Sequence, residues 1–291
     1  MFPPPFDYHS PSTLAEAVAL LGRLGEDAKV LSGGQSLLPL MKLRLGQPGH
    51  LVDIGRIPGL EGIEEKDGFL RIGGRTREAA LERSELVHTR YPLLADAVAV
   101  IADPLVRNLA TVGGNLAHGD PANDHPAVML AYGAKVIAVG PKGPREIAVD
   151  GFFTGLFATA LGPDEILTEV RIPTPPPRSG GAYLKLERKV GDFATAAVAV
   201  QLTLTPAGAV ERIGIALTAA GPTPVKATEA ERYLTGRKLD DASVAEATRL
   251  VGEAARPTAD RRGSVEYKRE MARVLAARAI RRAAQRAQGG R

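Results

Sequence analysis

Apolar side chains in the first part of the chain switch between helical and strand-like spacing. From residue 14 to residue 21 they recur on one face of a helix, and Thr13 stands at capping-box distance from Glu16. Short apolar runs at 28–31 and 51–54 are typical of buried strands. This order of elements predicts a small α/β unit over residues 1–55.

Residues 56–176 show a mixed pattern. The predicted strands lie at 69–72, 135–139, 145–149 and 165–172, and the predicted helices begin at Thr76, Pro92 and Ala127. Proline and glycine crowd residues 173–181, and proline has no N–H group for a sheet ladder or a helix. We therefore expect no ladder or helix across 173–181, and a domain boundary there.

Residues 177–291 form the third predicted part. Alternating apolar positions at 196–205 and 210–217 predict strands, and helical spacing at 240–255 and 265–285 predicts two helices. The sequence contains no internal repeat. The predicted organisation is therefore 1–55, 56–176 and 177–291.

Composition narrows the classes of protein that this chain can be. At 291 residues with 44% hydrophobic and 24% charged side chains, it is long enough to bury a core. It has no cysteine, which excludes disulfides, a thiolate nucleophile and an iron–sulfur cluster held by four thiolates. The N-terminus lacks the features of a signal peptide, and no apolar run reaches membrane-spanning length. We expect a cytoplasmic protein without an integral membrane segment.

The formal net charge of +4 arises mainly at the C-terminus, where arginines and alanines alternate from Arg261 onward. Both residues favour helices, and cations suit the C-terminal end of a helix dipole. The pattern therefore predicts a helix with a solvated basic face. Aromatic residues, which would stack on bases, make up 4% of the chain, so we expect no nucleic-acid partner.

Two glycine-rich motifs carry the candidate chemistry. The first motif is Ser32-Gly33-Gly34-Gln35-Ser36, and the second motif is Thr111-Val112-Gly113-Gly114. Paired glycines beside small hydroxyl residues leave backbone N–H groups open to an anion. Two such motifs in one chain indicate an extended ligand with phosphates in its middle, and a dinucleotide is the simplest candidate.

Other common motifs are absent, and a polar cluster follows the second motif. The chain has no G-x-G-x-x-G after a strand, no Walker lysine, no G-x-S-x-G and no H-E-x-x-H. The cluster consists of Asn115, His118, Asp120, Asn123, Asp124 and His125. Its spacing matches no common metal motif, so we predict no metal site. Asp124 or Asp120 could accept hydrogen bonds from ribose hydroxyls, or the segment could be a turn that its own side chains stabilise.

Residues 185–193 combine cations, carboxylates and an aromatic ring at the start of the third part. A cation such as Lys185 can stabilise a reduced flavin, and the ring of Phe193 can cover a flavin face. The same spacing also fits a charged edge strand.

The motifs together resemble one known family. Residues 32–44, 106–115, 165–167, 188–193 and 266–269 are similar to the medium, FAD-binding subunits of the molybdenum hydroxylases, above all to the aerobic carbon monoxide dehydrogenase branch. The similarity spans essentially the whole chain. It implies an α+β fold: a vanillyl-alcohol-oxidase-like (PCMH-type) FAD-binding domain of two α/β subdomains, then a C-terminal domain of the CO-dehydrogenase-flavoprotein type with a three-stranded antiparallel sheet and helices.

The resemblance also implies a set of FAD-binding residues. Ser32, Gly33, Gly34, Gln35, Ser36, Thr111, Val112, Gly113 and Gly114 would hold the pyrophosphate, Asp124 would contact ribitol or ribose hydroxyls, Leu167 would pack near the ring system, and Lys185, Asp192 and Phe193 would lie near the isoalloxazine. Phe193 stands where that branch commonly has tyrosine, so a hydrogen bond from this position is lost. Gln35 replaces a histidine of some relatives, which argues for non-covalent FAD. No catalytic residue is expected on this chain.

The implied function is electron relay. A large molybdopterin subunit would oxidise the substrate, a small subunit with [2Fe–2S] clusters would pass electrons on, and the FAD of this chain would deliver them to an external acceptor. The assembly would be a dimer of heterotrimers. Peripheral association of this assembly with the inner face of the membrane is compatible with the resemblance. Carbon monoxide, an aldehyde and a heterocycle all remain open as substrates. The alternatives are a free-standing FAD-dependent oxidoreductase, with His118 as the one candidate acid or base, a nucleotide sensor and a nucleic-acid-binding protein.

Overall fold

A computed structural model describes residues 1–290. The N-terminal part is a parallel sheet with strand order β1-β3-β2. Its elements are β1 (Asp7–His9), α1 (Leu14–Leu24), β2 (Ala28–Leu31), α2 (Leu37–Lys42) and β3 (His50–Asp53). Helix α1 begins where the sequence predicts, because the Thr13 side chain accepts a hydrogen bond from the Glu16 amide. Its apolar face covers this small sheet.

The middle part is an antiparallel sheet with strand order β4-β5-β10-β6-β7 and a group of short helices. Its elements are β4 (Ile63–Lys66), β5 (Phe69–Gly73), α3 (Glu78–Glu82), α4 (Glu85–Arg90), α5 (Pro92–Val98), α6 (Pro104–Arg107), α7 (Val112–His118), α8 (Asp124–Tyr132), β6 (Lys135–Gly140), β7 (Gly143–Ala148), β8 (Phe153–Gly155), β9 (Ala158–Thr159) and β10 (Ile166–Pro173). Strands β8 and β9 pair as a separate hairpin.

The C-terminal part is an antiparallel sheet with strand order β11-β12-β13-β14, covered by helices. Its elements are β11 (Ser179–Glu187), β12 (Ala194–Leu204), β13 (Val210–Thr218), β14 (Val225–Lys226), α9 (Thr228–Leu234), α10 (Asp241–Ala254) and α11 (Val265–Ala287). The sheet has the three expected long strands and a short fourth strand of two residues.

The C-terminal sheet is buried on both faces. One face packs against α9, α10 and α11 in a cluster of its own. The other face supplies Tyr183, Ala197 and Ala216 to the same buried cluster as Leu93 of α5 and Met129 of α8. The middle and C-terminal parts therefore share a core. No helix within residues 1–290 is long and apolar enough to cross a membrane.

The prediction that no sheet ladder includes residues 173–181 is wrong at both ends of that range. Pro173 pairs with Phe69 as the last residue of β10, where proline needs no N–H for the ladder. Strand β11 already begins at Ser179 and runs through Gly180 and Gly181. A Cβ atom on Gly180 would lie 2.1 Å from the carbonyl oxygen of Ala283, so glycine allows α11 to approach this strand.

Candidate functional site

The two glycine motifs, far apart in sequence, meet in the structure. Ser32 follows β2, Thr111 precedes α7, and their hydroxyl oxygens lie 2.9 Å apart. A Cβ atom on Gly33 would lie 2.3 Å from the carbonyl oxygen of Leu109. Because glycine lacks that atom, the backbone of the first motif can contact the backbone just before the second motif. The fold thus joins them into one surface.

The first motif offers a row of free donors. Within residues 1–290, the backbone N–H groups of Gly33, Gly34, Gln35 and Ser36 donate to no protein acceptor. Gly34 has φ +74°, a left-handed conformation that glycine adopts without strain. Successive amides in such a turn form a concave site for an anion.

The second motif is the start of helix α7, which the sequence did not predict. The Thr111 side chain caps the helix by accepting from the Gly114 amide at 3.3 Å. The amides of Val112 and Gly113 are already used, since they donate to the carbonyl oxygens of Thr76 and Gly74. Both residues are buried. Thr111 and Gly114 are therefore the members that face the first motif.

Leu167 supports the second motif through Gly74. A Cβ atom on Gly113 would lie 2.5 Å from the carbonyl oxygen of Gly74, and one on Gly74 would lie 2.3 Å from that of Leu167. The ladder of β10 is irregular between Leu167 and Glu169. The Leu167 side chain is buried in the core. The backbones at Gly74 and Leu167 are thus stacked beneath the second motif.

Asp124 and Lys185 form a buried ion pair between α8 and β11. The Lys185 Nζ lies 2.9 Å from Asp124 Oδ2 and donates to the carbonyl oxygen of Val100, also at 2.9 Å. The other oxygen of Asp124 accepts from the Tyr183 hydroxyl at 2.6 Å. Burial raises the pKa of the Asp124 carboxyl, and Lys185 and Tyr183 oppose that rise. Both oxygens of Asp124 thus have partners within the protein.

A second buried pair, between Glu78 and His125, lies behind the second motif. Their side chains are fully buried, with His125 Nε2 at 2.7 Å from Glu78 Oε2. The Glu78 amide donates to the carbonyl oxygen of Ala110, one residue before Thr111. Burial by itself would lower the pKa of His125, but the carboxylates of Glu78 and Asp124 together raise it. The sequence indicates His125 as a candidate residue but not Glu78, because no local pattern links α3 to α8.

Asp192 and Phe193 lie at the tip of the β11–β12 hairpin. The Asp192 Oδ1 atom lies 2.7 Å from Arg262 Nη2 and accepts from the Phe193 amide at 2.8 Å. Arg262 lowers the pKa of the Asp192 carboxyl. The ring of Phe193 is exposed, while Gly191 packs on the backbone of Ala102. None of the hydrogen bonds and ion pairs of Asp192 reaches the glycine motifs.

The remaining members of the polar cluster are dispersed. Asp120 accepts from the Ala122 amide in a turn, and Asn123 donates to the carbonyl oxygen of Asn115. The His118 ring packs beside that of Phe157, and burial lowers the pKa of His118. No group of three or more His, Asp or Glu within residues 1–290 could hold a metal ion.

Comparison with known families identifies the chain. The family described as "FAD binding domain in molybdopterin dehydrogenase" matches residues 4–175, and "CO dehydrogenase flavoprotein C-terminal domain" matches residues 181–283. The chain belongs to the FAD-binding medium subunits of the molybdopterin dehydrogenases. The predicted family, the α+β fold class and FAD as cofactor are thereby confirmed.

Individual relatives cover the medium subunit almost completely. This chain is 46% identical to the carbon monoxide dehydrogenase medium chain of Hydrogenophaga pseudoflava over 280 residues, which are 96% of this chain and 97% of the relative. It is 45% identical to the medium chain of Afipia carboxidovorans, with 99% of each covered. A solved structure of carbon monoxide dehydrogenase from Hydrogenophaga pseudoflava, which lacks the Mo-pyranopterin moiety of the molybdenum cofactor, matches with a TM-score of 0.95 and 47% identity, over 97% of this chain and 98% of that one.

The surface at the two motifs fits the pyrophosphate of FAD. Its donors are the free amides of residues 33–36 and the one hydrogen that the paired Ser32 and Thr111 hydroxyls leave free, and neither motif contains a carboxylate that would repel phosphate. The chain is thus the FAD-containing subunit of a molybdenum-containing oxidoreductase.

Proposed function

We propose that the medium subunit binds FAD non-covalently with its pyrophosphate against the joined glycine motifs. The observation that carries this proposal is the contact of Ser32 with Thr111, which combines the two sets of donors. The proposed pyrophosphate ligands are Ser32, Gly33, Gly34, Gln35, Ser36 and Thr111, and Gly114 would let the phosphates approach because it has no side chain, while its amide donates to Thr111. Val112 and Gly113 would act indirectly, because their buried amides hold the second motif on the middle sheet.

The other predicted site residues have distinct proposed tasks. Lys185 would place positive charge beside the flavin, and Asp124 would orient Lys185 through their ion pair. The hydrogen bond from Tyr183 would in turn hold Asp124 against the C-terminal sheet. Leu167 would support the stacked backbone beneath the cofactor. Asp192 would fix the hairpin tip that presents the exposed ring of Phe193.

When bound, FAD exchanges electrons both singly and in pairs, so it can connect one-electron carriers to a two-electron acceptor. The subunit has no cysteine and cannot hold iron–sulfur clusters by the usual thiolates. We propose that it receives electrons from [2Fe–2S] clusters of a small subunit, in a complex with a large molybdopterin subunit. Two copies of each chain would form a cytoplasmic dimer of heterotrimers.

The substrate would be oxidised on the large subunit. The relatives named as carbon monoxide dehydrogenase medium chains favour a carbon monoxide dehydrogenase-like complex, and the one named as a glyceraldehyde dehydrogenase medium chain supports an aldehyde dehydrogenase-like complex as the alternative. Within the medium subunit, we propose FAD-binding subdomains at 1–55 and 56–176 and a C-terminal domain at 177–291.

The visible absorption spectrum of the subunit, purified with the chains that co-purify, tests this proposal. We expect flavin and iron–sulfur absorption together and, after denaturation, one released FAD per medium subunit. FAD without any clustered partner would point instead to a free-standing FAD-dependent oxidoreductase.

A matched pair of variants tests the location of the site. Gly114→Asp should abolish FAD binding, because it adds a carboxylate beside Thr111 and Ser32. Gly22→Ala, in α1 and without neighbours within 4 Å of the added Cβ, should keep full FAD content. Full flavin occupancy in Gly114→Asp would contradict the assignment.

A further inference from the structure

The basic C-terminal helix predicted from sequence forms one wall of a cleft that FAD binding does not use. Helices α10 and α11 line an open cleft of about 640 Å³. Its lining consists of Arg249, Gly252, Glu253, Arg256, Arg269 and Arg273. None of these residues belongs to the glycine motifs or to the Asp124–Lys185 pair.

Two of the arginines are held in place by carboxylates. The Arg249 guanidinium lies 2.7 Å from a carboxylate oxygen of Glu246 and also pairs with Glu253. Arg273 pairs with Glu270 at 2.8 Å. The stem of Arg273 lies directly on α10, where a Cβ atom at Gly252 would come within 2.7 Å of it. These contacts position the wall of the cleft before any ligand arrives.

The other two arginines have no carboxylate partner within residues 1–290. Arg256 donates only to the carbonyl oxygens of Glu253 and Ala255. The Arg269 side chain makes no hydrogen bond or ion pair with any other residue of the described range, 1–290.

We propose that this cleft binds a small ligand that carries a phosphate group. Arg256 and Arg269 form no ion pair with a carboxylate within residues 1–290, and their two positive charges match the charge of about −1.5 to −2 on a phosphate monoester at pH 7. The planar donors of arginine fit its oxygens in pairs. The cleft is open to solvent, so the body of the ligand can extend beside the arginines.

Isothermal titration calorimetry on the FAD-saturated full chain, at constant ionic strength, tests this proposal with inorganic phosphate and with AMP. We expect one phosphate site per chain, and tighter binding of AMP if the ligand fills the cleft. Arg256→Gln and Arg269→Gln should each weaken phosphate binding at least tenfold. Arg232→Gln is the matched control, because Arg232 lies on α9 and pairs only with Glu229, and it should leave the affinity within twofold.

Glu253→Gln provides a readout that misfolding cannot mimic. It removes the only carboxylate lining the cleft and should tighten phosphate binding severalfold. The proposal is wrong if phosphate does not bind, or if the Arg256 and Arg269 variants bind it as the control does. It is also wrong if a glutamate-rich peptide binds the cleft more tightly than either phosphate or AMP, because the cleft would then be a docking site for an acidic protein segment.

Discussion

At Gly33 the missing side chain allows direct contact between backbones that are distant in the chain. A Cβ atom there would lie 2.3 Å from the Leu109 carbonyl oxygen and 2.8 Å from the Ala110 Cα. The contact sits next to the Ser32–Thr111 hydrogen bond. A single methyl group at residue 33 would therefore separate the two motifs.

We expect Gly33→Ala to lower the free energy of unfolding by about 1–3 kcal/mol, as overpacking does, and to weaken FAD binding. Gly22→Ala should instead stabilise the protein by up to about 1 kcal/mol, because alanine favours the interior of helix α1. Urea denaturation and fluorescence titration with FAD measure the two effects. Equal behaviour of the two variants would disprove the role of Gly33.

The Asp124–Lys185 pair leads to a second prediction. Lys185→Met should cost about 3–5 kcal/mol of unfolding free energy, because it leaves the Asp124 carboxylate buried without its cation. Adding Asp124→Asn removes the unpaired charge and should recover part of the loss. Chemical denaturation of both variants checks this, and a double variant no more stable than Lys185→Met would contradict it.

The Glu78–His125 pair predicts a pH dependence. The pKa of His125 is raised in the folded protein, so its protonated ring contributes stability that is fully present below about pH 6.5 and is lost as the pH rises through the folded-state pKa. The difference in unfolding free energy between the unmodified protein and His125→Gln should therefore shrink toward alkaline pH. Glu78→Gln should abolish the same pH dependence, and a difference that stays constant from pH 5 to pH 9 would refute the assignment.

At the scale of elements, strand β11 connects the C-terminal helix to the rest of the molecule. Gly180 faces the backbone of α11, and Gly181 faces Leu93 of α5. Arg286 of α11 pairs with Asp96 of α5 at 2.6 Å and donates to the Gly181 carbonyl oxygen. The strand is thus packed closely on both sides, which explains why glycine occurs inside it.

Gly180→Ala should loosen α11 and cost about 1–3 kcal/mol or more, because its Cβ would lie 2.1 Å from the Ala283 carbonyl oxygen. Gly151→Ala, whose Cβ would have no neighbour within 4 Å, is the matched control. Hydrogen exchange of the α11 amides should increase in the first variant only. Unchanged protection of α11 in Gly180→Ala would show that this close contact is unimportant.

At the scale of the whole molecule, the shared core makes the FAD-binding part dependent on the C-terminal part. Tyr183, Ala194 and Ala199 belong to the same buried cluster as Leu93 and Met129. Tyr183 also supplies a hydrogen bond to Asp124. Removal of the C-terminal sheet would expose apolar side chains of α5 and α8 and leave Asp124 without two of its partners.

We therefore expect a chain truncated after residue 176 to bind a hydrophobic dye strongly and FAD poorly. Co-expression of residues 177–291 as a separate chain should restore FAD binding, because it restores the shared core. Dye fluorescence and flavin content measure this. A truncated chain that holds FAD as well as the full chain does would contradict the dependence.

Features that neighbouring residues encode can be predicted from the sequence alone. The amphipathic stretch behind Thr13 predicted α1, and the alternating runs predicted β12 and β13, because helical and strand periods are local properties. The glycine motifs and their order indicated the family and FAD. The absence of cysteine excluded clusters on this chain by composition alone.

Which of these residues act together depends on contacts that form only when the chain folds. The contact of Ser32 with Thr111, and the pairing of Glu78 with His125 and of Asp124 with Lys185, each join separate elements. No local pattern encodes such contacts. For the same reason, the sequence predicts a break in structure at Gly180 and Gly181, although both lie in β11, because the neighbours that require glycine there are distant in the chain.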